Sequence, residues 1–215
     1  MKLLKRLFKD VFPIAVVAGV IVGIAGTIFL SQLGTDNKLL GAFLFSGGLL
    51  IVCVHSLNLF TGKVGYLVDN KPIFILDLIV MILGNVIGAL IIVFVVRMAN
   101  IEIVINTAGS VVAEKVSKEW NESLGLAILC GIMMYIAVEG YKRVPNDIAK
   151  VFLVIFSAMI FLMAGFEHSL ANIYYFMLSG TFELKAFLYA LIMLLGNAIG
   201  AIGFNLLEKA AKLKR

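Results

Sequence analysis

The amino-acid sequence predicts an all-α integral membrane protein with six transmembrane helices. Hydrophobic residues make up 62% of its 215 residues and charged residues only 14%, whereas soluble domains are typically about 45–50% apolar. The apolar residues are grouped in segments that can each cross a bilayer at about 1.5 Å per residue. In two of these segments, one in each half of the chain, polar residues interrupt the apolar pattern. Two of the helices are therefore expected to be broken by re-entrant loops.

Turn-forming residues and proline separate the apolar segments. The segments cover approximately residues 11–31, 39–69, 72–98, 123–141, 148–180 and 183–207, and the second and fifth are the interrupted ones. They leave no room for a separate soluble domain, so residues 1–215 are expected to form one transmembrane domain. The longest connection, 99–122, is predicted to be a short amphipathic helix on the surface, with Trp120 at the membrane interface.

The distribution of basic residues predicts the orientation in the membrane. If both termini lie on one side, thirteen of the 18 Lys and Arg residues lie on that side and five on the other. Cytoplasmic loops carry the excess of Lys and Arg, so both termini are expected in the cytoplasm. The net charge of +5 comes from scattered residues rather than a basic patch, which argues against nucleic-acid binding.

The sequence offers little support for catalysis. Cys53 and Cys130 lie inside apolar runs and lack the spacing of a metal site, so they are interpreted as buried packing residues. The pattern shows no metal-ligand cluster, phosphate-binding loop or nucleophile–base pair. We therefore expect a protein that is not an enzyme and that needs no cofactor.

A short sequence occurs twice. Leu83-Gly84-Asn85-Val86-Ile87-Gly88-Ala89 returns as Leu195-Gly196-Asn197-Ala198-Ile199-Gly200-Ala201, so that Gly84 corresponds to Gly196. Three spans per half are an odd number, so the halves, about 11–98 and 123–207, are predicted to form an inverted repeat. Small residues allow close helix packing, and Asn85 and Asn197 are interpreted as interhelical hydrogen-bonding residues. The same sequence offset aligns Thr61 of the first half with Ile173 of the second half, at the edge of the second interruption.

The two interruptions predict a transport site. A break inside a bilayer survives only where it lines a cavity or is buried in protein, and paired breaks mark binding sites in transporters. The first helix pattern ends near His55, and Asn58, Thr61 and Gly62 supply turn chemistry. The second ends near Ala164 and is followed by a glycine hinge. Half-helices that begin at mid-membrane present partial positive charge, which favours an anionic solute.

His168 is the sharpest candidate, because an ionisable residue within a membrane span is by default functional. A protonated or polarised imidazole could stabilise a small anion or hand it a proton. Glu167 is interpreted as a buried acceptor that holds the loop backbone or His168, and Asn172 could bind either the solute or the loop. Phe45, Leu49 and Phe161 flank the breaks at helical spacing. They are either core residues or hydrophobic constrictions of a pore.

Two motifs resemble the formate/nitrite transporter family of microbial anion channels. They are Phe45-Ser46-Gly47-Gly48-Leu49 leading to Asn58-Leu59-Phe60-Thr61-Gly62-Lys63, and Ala164-Gly165-Phe166-Glu167-His168-Ser169-Leu170-Ala171-Asn172. The resemblance implies an aquaporin-like bundle in a prokaryotic plasma membrane, assembled as a homopentamer with one pore per protomer. It also implies two constrictions around His168, formed with Phe45, Leu49 and Phe161, and a loop that carries Thr61 opposite the histidine.

Departures from the family pattern bear on the substrate. Formate and nitrite members usually carry an acidic residue near the first motif, whereas Asn58 stands here, and Lys63 replaces a common Asn. This combination is similar to the hydrosulfide branch, so HS⁻ is the first expectation, with permeability to formate and nitrite. Lys63 would attract anions at the cytoplasmic mouth or would serve only as a topology signal. The alternative is a proton-coupled formate or nitrite transporter that uses the same residues.

Overall fold

The structure, a computed structural model, describes residues 2–181 and 183–213, with the side chain of Lys2 left out. Lys214 and Arg215, which contribute to the predicted charge asymmetry, lie outside the described residues. The described residues contain no β-strand. Their α-helices are α1 (Lys2–Arg6), α2 (Phe12–Leu33), α3 (Lys38–Val54), α4 (Phe60–Lys63), α5 (Phe74–Met98), α6 (Glu102–Ser117), α7 (Trp120–Arg143), α8 (Asp147–Met163), α9 (Ser169–Ser179) and α10 (Leu184–Ala210).

Four helical segments are long and apolar enough to cross a membrane. They are Leu3–Leu33, Phe74–Met98, Trp120–Arg143 and Leu184–Ala210. The first is longer than predicted, because a π-helical stretch, Leu7–Val11, joins α1 to α2 without a break. The two interrupted segments are instead composites, α3 with α4 and α8 with α9. With 17 residues, α3 and α8 are each shorter than the roughly 20 residues of a full span.

Helix pairs α2–α5 and α7–α10 are held by the same close contacts, at equivalent positions of the two halves. A Cβ added to Gly88 would lie 2.1 Å from the carbonyl oxygen of Val16, and one added to Gly200 would lie 2.0 Å from that of Ile128. No side chain fits at such distances, so glycine is required at both places. The small-residue pattern of the sequence therefore acts as a packing device, which lets the backbones touch.

Helix α6 differs from the predicted surface helix. Val104, Ala108 and Val112 are buried, and α6 packs against α9. The side chains of Lys115, in the last turn of α6, and Lys118, the residue after α6, are only 12% and 17% exposed and turn towards the interior. The connection thus forms part of the wall of the bundle. Its apolar side is covered by α9, and its two lysines form ion pairs with the buried carboxylate of Glu167.

Candidate functional site

Both interruptions begin with the same backbone turn. Ser56 and Gly165 adopt left-handed conformations, with φ of 52° and 73°. One residue further on, the amide of Leu57 donates to the carbonyl of Val52 at 2.9 Å, and the amide of Phe166 donates to that of Phe161 at 2.8 Å. This 6→1 bond closes the end of a helix and satisfies one of its free carbonyls. Helices α3 and α8 therefore end in the same way.

Asn85 anchors the first loop after this turn. Its Oδ1 accepts from the amide of Phe60 at 2.9 Å, and its Nδ2 donates to the carbonyls of Ala15 and Asn58 at 2.8 and 2.9 Å. The side chain is fully buried. A single asparagine thus satisfies two backbone groups that the broken helix would otherwise leave unpaired, the amide of Phe60 and the carbonyl of Asn58, and ties the loop to α2 at Ala15.

Asn197 anchors the second loop with the same set of bonds. It accepts from the amide of Ser169 at 2.9 Å and donates to the carbonyls of Ala127 and Glu167 at 2.8 and 2.9 Å. In the structure Ser169 is thus the counterpart of Phe60, since each donates its amide to the anchoring asparagine. Thr61, the next residue, therefore corresponds to Leu170, and the expected pairing with Ile173 is wrong by three residues.

Thr61 and His168 meet at the point where the half-helices begin. Thr61 Oγ1 lies 3.0 Å from His168 Nε2, and both residues are buried. His168 is also the N-cap of α9, since its Nδ1 accepts from the amide of Ala171 at 3.1 Å. A neutral imidazole whose Nδ1 accepts carries its proton on Nε2. The ring therefore donates towards Thr61, whose own hydroxyl proton is left available for a solute.

Aromatic rings cover this centre on one side. Phe161 stacks on His168 with ring centroids 5.5 Å apart and an interplanar angle of 20°. Phe45 meets Phe161 edge to face at 5.9 Å, and Phe29 meets Phe45 at 6.3 Å. Leu49 is buried one helical turn after Phe45, further along α3. The sequence-predicted residues Phe45, Phe161, Thr61 and His168 are thus one contiguous group.

A cavity of about 140 Å³ lies beside this group, and we call it the His168 cavity. Its lining includes Phe161, His168 and Asn172 together with Lys38, Lys115 and Lys118. The three lysines were not predicted as site residues. Their signal in the sequence is weak, because the spacing of Lys115 and Lys118 only indicates that they share a helix face.

Glu167 binds two of these lysines rather than the histidine. Its carboxylate accepts from Lys115 at 2.5 Å, from Lys118 at 3.2 Å and from Asn172 Nδ2 at 2.6 Å. We expected the Glu167 side chain to hold the loop backbone or His168. Its main partners are instead Lys115 and Lys118. Burial lowers the pKa of Lys118, but Glu167 and Glu114 raise it by more, so the ammonium stays charged. Asn172 is held by the loop and by Met193 Sδ at 3.1 Å.

A second cavity of about 270 Å³, the Lys63 cavity, is lined by other residues of the first loop. Its walls include Cys53, Leu57, Leu59, Lys63, Val138 and Lys142. Leu59 is the N-cap of α4 and so stands where His168 stands in the second loop. Asn58 does not line this cavity, because its side chain donates to the carbonyl of Val11 at 3.2 Å. Asn58, one of the residues that suggested HS⁻ as the substrate, therefore hydrogen-bonds to the backbone instead of facing this cavity.

Comparison with known proteins places these features in one family. The FocA formate channel of Haemophilus influenzae is 30% identical over 150 residues, which cover 64% of this chain and 52% of that protein. The FocA formate channel of Escherichia coli K12 is 27% identical over 181 residues, which cover 76% and 64%. The chain spans about half to two thirds of the length of these relatives. They are channels rather than enzymes, which confirms the prediction that the protein is not an enzyme.

A solved structure shows the same fold. A pentameric formate channel with formate bound matches with a TM-score of 0.79 and 22% identity, over 98% of this chain and 99% of that one. Residues 1–209 also match the sequence profile of the formate/nitrite transporter family. The profile covers nearly the whole chain, including both loops and the Thr61–His168 pair. The protein is therefore an integral membrane protein that belongs to the formate/nitrite transporter family.

Proposed function

We propose that the protein is a selective channel for a small monovalent anion, with HS⁻ as the main substrate and formate and nitrite as further ones. The observation that carries this proposal is the buried Thr61–His168 pair, 3.0 Å apart and covered by the ring of Phe161. Its hydrogen-bond donors lie among apolar residues beside a cavity that contains lysines. An anion that loses its water there would receive these donors in exchange.

The residues divide the task between them. Lys115 and Lys118 at the His168 cavity, and Lys63 at the other cavity, raise the local concentration of anions. Phe45, Leu49 and Phe161 form apolar constrictions that admit only a dehydrated solute. The Thr61 hydroxyl then donates to the anion, while His168 Nε2–H polarises that hydroxyl. Glu167, Asn58 and Asn172 support the loops, and conduction needs no metal.

The membrane arrangement belongs to the same proposal. Residues 1–215 form one channel domain that crosses a prokaryotic plasma membrane six times, with both termini in the cytoplasm. Its halves form an aquaporin-like inverted repeat with two re-entrant loops. The matched contacts of Asn85 and Asn197 support the repeat. Five copies assemble in the lipid bilayer, which the pentameric formate channel of the same fold supports.

The choice of HS⁻ rests on Lys63 and its position at the Lys63 cavity. Purified protein in liposomes is expected to pass HS⁻ faster than formate or nitrite, each supplied at the same concentration across a pH series. Empty liposomes are the control, and competition between pairs of anions ranks their affinities. HS⁻ flux no greater than in empty liposomes would exclude this substrate, and faster formate flux would reassign the channel.

A proton-coupled transporter is the second candidate, because a titratable ring lies at the wall of the His168 cavity. In that mechanism His168 protonates the anion, and the neutral acid crosses. The hydrogen bond from the amide of Ala171 to Nδ1 favours the channel, since an imidazolium would have to give it up. Parallel measurement of current and flux separates the two: a channel carries one charge per anion, and a neutral crossing carries none.

A further inference from the structure

The half-helix that carries Thr61 does not continue as a regular α-helix. After the four residues of α4 the chain forms a 3₁₀ helix over Val64–Asp69, whereas α9 is a regular α-helix of 11 residues. Hydrogen bonds in a 3₁₀ helix are poorly aligned, and runs longer than three or four residues are uncommon. The six-residue stretch therefore depends on partners outside itself. We refer to Phe60–Asp69 as the Thr61 half-helix.

Asn205 of α10 supplies such a partner. It is fully buried, and its Nδ2 donates to the carbonyl oxygen of Gly65 at 2.6 Å and to Asp69 Oδ2 at 2.5 Å. The other carboxylate oxygen of Asp69 binds Lys209 Nζ at 2.6 Å. The bond to the carboxylate is charge-assisted, so it fixes the orientation of the amide that holds Gly65. Gly65 follows Thr61 by about one helical turn.

The Thr61 half-helix is packed tightly against α7 and α10. A Cβ added to Gly65 would lie 2.5 Å from a ring carbon of Tyr135 and 3.2 Å from the carbonyl oxygen of Ala201. One added to Gly62 would lie 3.0 Å from the side chain of Val138. Closely packed interiors transmit strain instead of absorbing it. A displacement at Gly65 is therefore expected to reach the position of Thr61.

Helix α10 also anchors the other member of the pair. Asn197, about two turns before Asn205 on the same helix, forms hydrogen bonds with backbone groups of the residues on either side of His168. One helix thus carries an anchor for the segment of Thr61 and an anchor for the segment of His168. The separation of the two side chains is therefore set by a single rigid element.

We infer that Asn205 is a positioning residue, which keeps Thr61 at hydrogen-bond distance from His168 by anchoring the Thr61 half-helix to α10. This inference rests on the proposed function, in which the Thr61 hydroxyl donates to the anion. Thr61 Oγ1 and His168 Nε2 are 3.0 Å apart, so a displacement of about 0.6 Å would take them out of hydrogen-bond range. Loss of the anchor is expected to weaken anion binding while every group that touches the anion is still present.

The substitution Asn205→Leu tests this inference, because it keeps a side chain of similar size and removes both hydrogen bonds. Initial rates of formate and HS⁻ uptake are measured against concentration in proteoliposomes. The half-saturation concentrations are expected to rise about three- to ten-fold, less than the effect of a complete hydrogen bond to an ion. Asn70→Leu is the matched control. Asn70 is exposed and donates to the carbonyl of Tyr66 at 2.8 Å, so its loss should change these values less than about two-fold.

The same substitution in a Thr61→Val background separates positioning from a general structural role. If Asn205 acts through Thr61, its replacement should change the half-saturation concentrations less than about two-fold once the hydroxyl is gone. Additive losses would overturn the inference, since Asn205 would then act independently of Thr61. So would wild-type values for Asn205→Leu. If that variant does not assemble, Asp69→Ala, which removes the carboxylate that orients the amide, is measured in both backgrounds by the same criteria.

A measurement without transport keeps this inference separate from the proposed function. The chain has two histidines, so a His55→Gln background leaves His168 alone to report in ¹⁵N NMR of histidine-labelled protein in nanodiscs. The Nε2 shift in Asn205→Leu is expected to move towards that of Thr61→Val, and the shift in Asn70→Leu should not move. If no variant conducts but the Nε2 shift moves, the channel proposal fails and the positioning role stands. An unchanged Nε2 shift overturns the inference.

Discussion

The two interrupted segments of this protein share a backbone framework and differ in chemistry. Each ends its first helix in the same turn, at Ser56 and at Gly165, and each is tied down by an asparagine with one accepted and two donated hydrogen bonds. The residue that opens the following half-helix differs, however. It is Leu59 in the first segment and His168 in the second.

The residues before these N-caps diverge in the same manner. Asn58 uses its side chain on the carbonyl of Val11, whereas Glu167 brings two lysines from the α6 region into the wall of the cavity. One loop therefore supplies an apolar cap and a hydroxyl, and the other supplies the imidazole and its charged surroundings. The matched turns and asparagine anchors provide the same scaffold in both segments, and the side chains at a few corresponding positions determine which segment carries the polar chemistry.

The largest effect is expected from removing the asparagine anchors. Asn197→Ala leaves the amide of Ser169 and the carbonyl of Glu167 without partners, and each such group costs about 1–3 kcal/mol. It also removes the bond to the carbonyl of Ala127 that ties the loop to α7. We expect a loss of more than about 4 kcal/mol in the free energy of unfolding, measured by denaturant titration in detergent, and an equal loss for Asn85→Ala. The exposed Asn106→Ala serves as control and should change little. Clearly unequal losses would show that the two frameworks are not equivalent.

The Glu167 ion cluster should be next in magnitude and should have no parallel in the first loop. Replacing both Lys115 and Lys118 by Met leaves a fully buried carboxylate uncompensated. Removing the partners of a buried charge costs about 3–5 kcal/mol, and we expect a loss near the lower value. Adding Glu167→Gln to the double variant should restore much of the stability, with Lys9→Met as a surface control. If the third change restores nothing, the carboxylate is not the cause of the loss.

The N-cap residues themselves test which half carries the polar chemistry. His168→Ala is expected to lower anion flux at least about ten-fold, the equivalent of one hydrogen bond to an ion. Its counterpart Leu59→Ala should lower flux less than about two-fold, because it removes no donor. His168→Asn keeps a donor and a good N-cap, so its flux should lie between these values. Equal effects of the two alanine variants in proteoliposomes would contradict the division of roles.

The smallest expected effect concerns Lys63 at the mouth of its cavity. Lys63→Gln should reduce anion flux about two-fold at low ionic strength, because a single charge steers anions only over about one Debye length. The difference should disappear at about 0.5 M of an impermeant salt. Lys71→Gln, which changes an exposed lysine outside the cavity, is the matched control. A reduction that persists at high salt would assign Lys63 a direct contact with the anion.

Much of the fold follows from local sequence patterns. The helix boundaries at Val54 and Met163 lie within a residue or two of the predicted ends, because polar and turn-forming residues stop an apolar helix where they occur. The repeated glycine and asparagine residues indicated close packing and interhelical hydrogen bonds. Asn85 and Asn197 make such bonds to the carbonyls of Ala15 and Ala127, and each makes further bonds to backbone groups of one loop.

The partners of several site residues could not be predicted in this way. Phe60 lies 25 residues before its anchor Asn85, whereas Ser169 lies 28 residues before Asn197, so the repeated motif gives the wrong register for the loops. The pairing of Glu167 with Lys115 spans 52 residues and depends on α6 packing against α9. Neither hydropathy nor periodicity carries that information.

The sequence by itself determined that this is a membrane-embedded helical protein with two interrupted segments, and that His168 is the residue to examine. Those properties depend on hydropathy, turn propensity and the expense of an ionisable group in a bilayer, which are all local. Only the tertiary structure decided that His168 faces Thr61 beneath Phe161, that Glu167 binds two lysines and that Asn58 hydrogen-bonds to the backbone of α2's N-terminal end. These contacts join distant residues, and packing alone brings such residues within hydrogen-bond distance.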